Sequence, residues 1–374
     1  MTEPTTQPEP GATSAVVVGG GIAGVSVAAE LAGAGIEVTL VEAEDVLAHH
    51  TTGRSAAMYM PGYGNAVVRA LTAASAADYE AMGVEAGTAI LTPRTTVWVG
   101  GPEDLAALDA LASGNDALRV APVDEVLDLA AVLRPERVGG GLVDDAGSDI
   151  DVGLLHQTYV RRLTHAGGTI ERSARVDAIG RAGGRWRIAA GERTWEADLL
   201  VDAAGAWADE VAALAGVAPV GLAPLRRMLF TSPVPDDVVP GPMVVDVLDR
   251  WYFRVDPGIA LVSPADETPS PPCDARPEPI DIARALDAVN EVTTLGLRSV
   301  RNSWAGLRTF APDRSPVAGP DPAVPGFVWS AGQGGYGIQM GPALARAAAA
   351  LALGRPLPAD VHLTPDQLSP TRFR

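Results

Sequence analysis

A mixed α/β fold with a parallel, doubly wound core is what the sequence predicts, and three features predict it. The first is Ser14-Ala-Val-Val-Val18, an apolar run with the pattern of a strand covered on both faces. The second is the stretch after it, Gly19-Gly-Gly21-Ile-Ala-Gly24, which matches G-x-G-x-x-G and opens a helix expected over residues 22–34, closed by Gly35. The third is a second strand, Glu37-Val-Thr-Leu-Val-Glu42, which ends in an acid 18 residues after Gly24.

Each part has a physical task. Gly19 permits the tight turn, Gly21 lets backbone approach a pyrophosphate, and Gly24 allows close helix–strand packing. The helix N-terminus at Ile22 and Ala23 stabilises phosphate charge. Glu42, with Ala43 beside it, stands where a carboxylate accepts hydrogen bonds from ribose hydroxyls, which disfavours a 2′-phosphate. The motif does not by itself separate NAD from FAD.

Composition narrows the function. The chain has 374 residues, 47% of them hydrophobic, enough for two domains or one two-lobed one. A net charge of −18 argues against a nucleic-acid partner, which needs a basic face. All 28 basic residues are arginine, so no step can use lysine as Schiff base, general base or oxygen-activating cation. The single Cys273, in a Pro-rich stretch, excludes an intramolecular disulfide and a cysteine-built metal site, and no metal is expected. Residues 1–13 are polar and Pro-rich, which predicts a disordered tail without a signal peptide. The Ala/Leu run near 342–353 is too short for a membrane span, and a cytoplasmic enzyme is expected.

The loop His49-His-Thr-Thr-Gly-Arg-Ser-Ala-Ala57, continued by Met-Tyr-Met-Pro-Gly-Tyr-Gly64, resembles the flavin-contacting loop of the D-amino-acid oxidase superfamily. It looks most like the bacterial D-arginine dehydrogenase branch. The similarity continues in order through 69–75, 149–157, Asp202-Ala-Ala-Gly-Ala-Trp207, Leu225-Arg-Arg227, Ser303-Trp-Ala-Gly-Leu-Arg-Thr309 and Ala331-Gly-Gln-Gly-Gly-Tyr-Gly-Ile-Gln339.

The resemblance implies a Rossmann-type FAD-binding domain with an inserted α+β substrate domain carrying an antiparallel sheet. The FAD domain would comprise 14–60, 140–215 and 310–374, and the substrate domain 61–139 and 216–309. Strand-like runs at 225–232, 243–247, 251–255 and 259–263 agree. Non-covalent FAD would be held by the N-terminal residues together with Thr51, Thr52, Arg54, Ser55, Ala56, Val176, Ala204, Gly205, Trp207, Gly306, Arg308, Gly334, Gly335, Tyr336, Gly337 and Ile338. The glycine loop 332–337 opens a helix running to about Leu353, whose N-terminal dipole is suited to negative charge on a reduced flavin.

The substrate site follows from the same resemblance. The flavin accepts a hydride from the substrate Cα at N5, so the protein has only to orient that carbon and hold the other end. Arg308 matches the family's carboxylate-binding arginine and Arg227 a second one, because a guanidinium fork gives a carboxylate two parallel charge-assisted hydrogen bonds. Tyr252 and Tyr63 match two substrate-facing tyrosines, Tyr63 on a glycine-flanked loop that suits a closing lid. Gly335 matches a backbone carbonyl at the amino group, and Gln339 a residue beside the flavin.

Three positions depart from the branch pattern: Met58 for a histidine, Met60 for a threonine and Thr96 for the acid that pairs with a cationic side chain. Losing the acid and gaining two methionines predicts a neutral, apolar substrate side chain. His49 and His50 are expected in packing or backbone contacts, His156 and His165 as structural, and Asp149 and Asp151 as a turn and a helix N-cap.

The reading is an FAD-dependent dehydrogenase converting a D-amino acid to the imino acid and then the 2-oxo acid. A quinone, a carrier or oxygen would take the electrons. The absence of lysine favours a dehydrogenase over an oxidase. Within the same fold, the alternatives are an oxidase of a secondary amine or glycine and an amine-oxidising tailoring enzyme. From other classes, an NAD-dependent dehydrogenase predicts a colourless preparation, and a non-catalytic flavoprotein a yellow one that no amine bleaches.

Overall fold

Residues 11–374 are described by a computed structural model. The run Ser14–Val18 is a strand with all five residues buried, and it lies between Leu199–Asp202 and Glu37–Val41, parallel to both. These three belong to a six-stranded sheet in the order Val317–Pro320, Phe327–Ala331, Leu199–Asp202, Ser14–Val18, Glu37–Val41, Thr169–Glu171. Only Val317–Pro320 runs antiparallel to its neighbour. The helix Ile22–Gly33 follows the glycine turn, and the Ala-rich helix Gly337–Ala352 packs against it. Small residues make that approach possible: a Cβ at Gly341 would lie 3.2 Å from the Ile22 side chain.

The segments 225–232, 243–247, 251–255 and 259–263 form strands, observed as Ala223–Pro233, Met243–Asp246, Tyr252–Asp256 and Ile259–Ser263. They lie in a ten-stranded sheet, ordered Gln333–Gly334, Asn302–Phe310, Ala223–Pro233, Ile259–Ser263, Tyr252–Asp256, Met243–Asp246, Thr96–Gly100, Gly140–Asp144, Arg119–Ala121, with Thr268–Pro269 paired to Ala223–Pro233. The register sets Arg227 opposite Gly306 and Leu225 opposite Arg308, which brings both arginines to one region. A short sheet of Met58–Tyr59, Ser148–Ile150 and Leu91–Pro93 lies beside it. The helices Ala66–Ala74 and Ala76–Ala86 pack on Gly337–Ala352.

Residues 1–10 of the expected tail fall outside the described part. Thr13 is held, its N–H and hydroxyl each donating to Asp198 at 2.9 Å. Asp151 caps the helix Val152–His165, accepting from the Leu154 N–H at 2.8 Å. Asp149, expected in a turn, lies instead in the strand Ser148–Ile150, where Arg94 and Arg254 hold it at 2.7 and 2.8 Å. Those partners are remote in sequence, so no local pattern announces them. Among the described residues no helix is long and apolar enough to cross a membrane.

Asp202 ends a buried strand with 0% exposure; its Oδ1 accepts from the Ala204 N–H at 3.1 Å, and its Oδ2 has no partner. Burial pushes its carboxyl well above the ordinary range. The folded chain therefore holds a proton that the unfolded chain releases at lower pH, and stability falls as pH rises above the unfolded value. Asp202→Asn, neutral throughout, should lose less stability than the parent as the pH rises from 4 to 8. Parallel thermal melting curves against pH for the two proteins would contradict this.

Candidate active site

The glycine turn, the loop 49–57, the turn 203–207, the strand Asn302–Phe310 and the glycine loop 332–337 converge on one continuous cavity. The dinucleotide end is shaped by close backbone approaches. Gly19 has φ of +111°, and a Cβ there would run into the Ala203 carbonyl. A Cβ at Gly24 would run into the Gly19 carbonyl oxygen, so the helix can start this close to the strand only without side chains. The Thr52 hydroxyl accepts from the Ile22 N–H at 3.0 Å, tying the loop to the helix N-terminus. Glu42 faces the cavity; its two carboxylate oxygens accept from the Gly20 and Glu44 N–H groups at 2.6 and 2.8 Å, which fixes its direction. A backbone cradle that tolerates no Cβ, a helix N-terminus and an oriented acid fit the diphosphate and ribose of FAD.

The loop 49–55 is stitched to Asn302–Phe310. The Thr51 hydroxyl donates to the Leu307 carbonyl at 2.8 Å, Arg54 donates to the Ala305 carbonyl at 2.9 Å, and the Trp304 indole donates to the Arg54 carbonyl at 3.0 Å. His50 lies tilted against Trp207, with centroids 4.8 Å apart, and its Nε2 lies 3.0 Å from Glu44. Glu44, His49 and His50 bring possible ligand atoms within 4.8 Å of one another, a grouping that the sequence reading did not anticipate. His156 is buried, its Nε2 2.9 Å from the Gly20 carbonyl, a structural contact that holds the glycine turn.

At the other end Arg308 donates to the Tyr63 hydroxyl at 3.1 Å. Tyr336, Tyr63 and Phe310 surround its guanidinium, with ring centroids 5.8–6.0 Å from Cζ. Gly335 is required here, because a Cβ would occupy the space of the Arg308 guanidinium. Arg227 is buried; its Nε donates to the Asp266 carbonyl at 2.7 Å and its Cζ lies 5.8 Å from the Tyr252 ring. Met58, Met60, Leu229, Met243 and Val245 make the neighbouring wall apolar. Gln339 is buried beside it and donates to the Thr72 hydroxyl at 3.0 Å. The Tyr63 loop is anchored next door, where the Gly62 N–H donates to Asp144 at 2.8 Å and Asn115 donates to the Gly62 carbonyl at 2.9 Å.

All the residues expected at the site line this cavity except three. Gly24 acts from behind, by packing. Tyr336 backs the lining, its ring 5.0 Å from that of Tyr63, and burial raises its hydroxyl to about 12. Thr96 requires a correction: it is wholly buried with its hydroxyl unpartnered, one strand beyond Met243, which does face the cavity. The apolar character of the wall therefore rests on the methionines, Leu229 and Val245. Sequence reasoning missed Met243 and Val245, which period-2 alternation along a strand would have linked to one face. It also missed Asp249, at φ +53° on the turn before Tyr252. The residue is exposed to solvent, yet the protein around its carboxyl desolvates it and raises it above the usual carboxylate range.

A family model described as FAD dependent oxidoreductase matches residues 14–351. The bovine (Bos taurus) FAD-dependent oxidoreductase domain-containing protein 1 is 30% identical over 203 residues, 48% of this chain and 39% of that protein, so the chain spans less than half of that relative. The crystal structure of L-proline dehydrogenase from P. horikoshii superposes with a TM-score of 0.85 at 19% identity, over 97% of this chain and 98% of that one. Glycine oxidase from Geobacillus kaustophilus gives 0.80 at 19% identity, over 91% and 94%.

Proposed function

The chain belongs to the family of FAD-dependent oxidoreductases, and on that premise we propose that it oxidises the α-carbon of a D-amino acid with a neutral, apolar side chain. The observation that carries the reading is the pairing of Arg308 and Arg227 with Tyr63 and Tyr252 at one end of a cavity whose other end is the dinucleotide cradle. The resemblance of the motif blocks to the D-arginine dehydrogenase branch supports the D configuration. The methionine wall supports an apolar side chain.

FAD, non-covalent in this reading, supplies the hydride acceptor when bound. The chain's own residues hold and shield the substrate. Arg308 and Arg227 take the α-carboxylate, with the Tyr63 and Tyr252 hydroxyls beside them. The Gly335 carbonyl accepts from the amino group, and the apolar wall keeps water from the reacting carbon. In domain terms, 14–60, 140–215 and 310–374 would mainly hold FAD and 61–139 and 216–309 mainly substrate, although Gly140–Asp144 joins the ten-stranded sheet and the helices of 66–86 pack on Gly337–Ala352. The product is an imino acid that water converts to a 2-oxo acid and ammonia. With no lysine to favour reaction with oxygen, a quinone or carrier is the expected acceptor.

The substrates named for the similar structures, proline and glycine, favour a second reading: a secondary amine or glycine. An anaerobic absorbance scan with D- and L-amino acids, proline, glycine and sarcosine separates the two. Bleaching of the flavin band fastest with apolar D-amino acids is expected. Highest kcat/KM for D-arginine or D-lysine would overturn the apolar side chain, and preference for proline or glycine would establish the second reading.

A further inference from the structure

We propose that Asp249 and Glu267 set the charge selectivity of the arginine end, so that it accepts one carboxylate and excludes dicarboxylates. The proposal rests on reading Arg227 and Arg308 as carboxylate-holding groups. It adds which ligands that end refuses and which residues refuse them.

Glu267 sits at the back of the arginine pair. Its Oε1 is 3.5 Å from Arg227 Nη2 and 4.0 Å from Arg308 Nη1. Arg314 grips both of its oxygens from the far side, at 2.7 and 3.1 Å, so the carboxylate is pinned and cannot swing away. Asp249 lines the cavity from the turn between Met243–Asp246 and Tyr252–Asp256, within electrostatic reach of Arg227, Arg308 and Glu267. Arg226 is taken up elsewhere, by Asp266, Glu278 and Asp281 at 3.4, 3.1 and 2.7 Å.

The charges then sum simply. Arg227, Arg308 and Asp249 line the cavity, while Glu267 and Arg314 pair with each other behind it, so the cavity side carries one uncompensated positive charge. One α-carboxylate neutralises it. A second carboxylate would meet Asp249 in the cavity and the field of Glu267 behind the arginines, with no free guanidinium to receive it. The other lining arginines, Arg54 and Arg175, lie by Asp274 and by Trp207 and do not serve this end. Removing one negative charge should therefore help a dicarboxylate more than a monocarboxylate. For unit charges on the order of 5–10 Å apart at an effective dielectric of ~40, Coulomb's law gives a change of about tenfold in relative affinity.

The test is titration of the FAD-loaded protein with acetate and with malonate at pH 8, following perturbation of the flavin spectrum. The parent should bind acetate more tightly than malonate, and Asp249→Asn should shift the ratio of dissociation constants towards malonate by about tenfold. Glu267→Gln should shift it the same way; where loss of the Arg314 clamp prevents folding, Asp249→Asn decides. A parent that prefers malonate, or an unchanged ratio in Asp249→Asn, overturns the proposal while leaving the carboxylate site intact. If neither acid perturbs the flavin in the parent or either variant, the carboxylate reading of the arginines falls with it. Reduction rates with glycine and iminodiacetate give the same comparison for amine-bearing ligands.

Discussion

Arg308→Ala is expected to lower kcat/KM by about two to four orders of magnitude, with KM bearing most of the loss and FAD retained. The side chain is only 12% exposed, and its polar contacts within the chain are light: the Tyr63 hydroxyl at 3.1 Å and Glu267 at 4.0 Å. A guanidinium buried with so few partners keeps its donors for another anion. Two charge-assisted hydrogen bonds to a carboxylate, at ~1.5–3 kcal/mol each, account for that range of effect. Alanine removes the fork without adding any atom that could crowd the site. Arg308→Lys should recover little, since an ammonium on a flexible stem does not reproduce the fork. Steady-state kinetics with the best amino acid, alongside the flavin absorbance of each variant, decides the matter. A kcat/KM within tenfold of the parent would remove Arg308 from the substrate end.

How far the sequence revealed this arrangement depended on whether the signal was local. The strand Ser14–Val18, the glycine turn, the helix and the acid Glu42 are adjacent in the chain, and each has its own physical signature, so they were read nearly to the residue. The same holds for the helix after the glycine loop. The cavity wall was harder because it is made by pairing. Thr96 and Met243 are neighbours in register and far apart in sequence, and only the strand order reveals that the second faces the cavity and the first does not. Asp249 carried no signal at all, because a turn acid before an aromatic strand reads as solvated surface, and only the folded chain sets it on the cavity wall that also carries Arg227 and Arg308. Asp149 failed for a related reason: what holds it is Arg94 and Arg254, which no spacing rule connects to it.

Gly24→Ala is expected to give a protein without bound FAD and with a sharply lowered melting temperature, although alanine is the better helix former. Gly24 is buried inside the helix Ile22–Gly33. Its added Cβ would meet the carbonyl oxygen of Gly19, a backbone atom that no rotamer change can move. Relief requires the helix to back away from the strand, which spoils the alignment of the Gly21 N–H and the helix N-terminus at the diphosphate position. The strain itself costs about 1–3 kcal/mol, and lost cofactor binding adds to the apparent loss of stability. Gly33→Ala, at the other end of the same helix, is the internal control. Its added Cβ meets nothing within 4 Å, so the substitution should be neutral or stabilise by roughly 0.5–1 kcal/mol. The ratio of flavin to protein absorbance and the melting temperature of the two variants separate a steric cause at Gly24 from a general dislike of alanine in this helix. A Gly24→Ala protein that holds as much flavin as Gly33→Ala would show that the close helix–strand approach is not what forms the dinucleotide site.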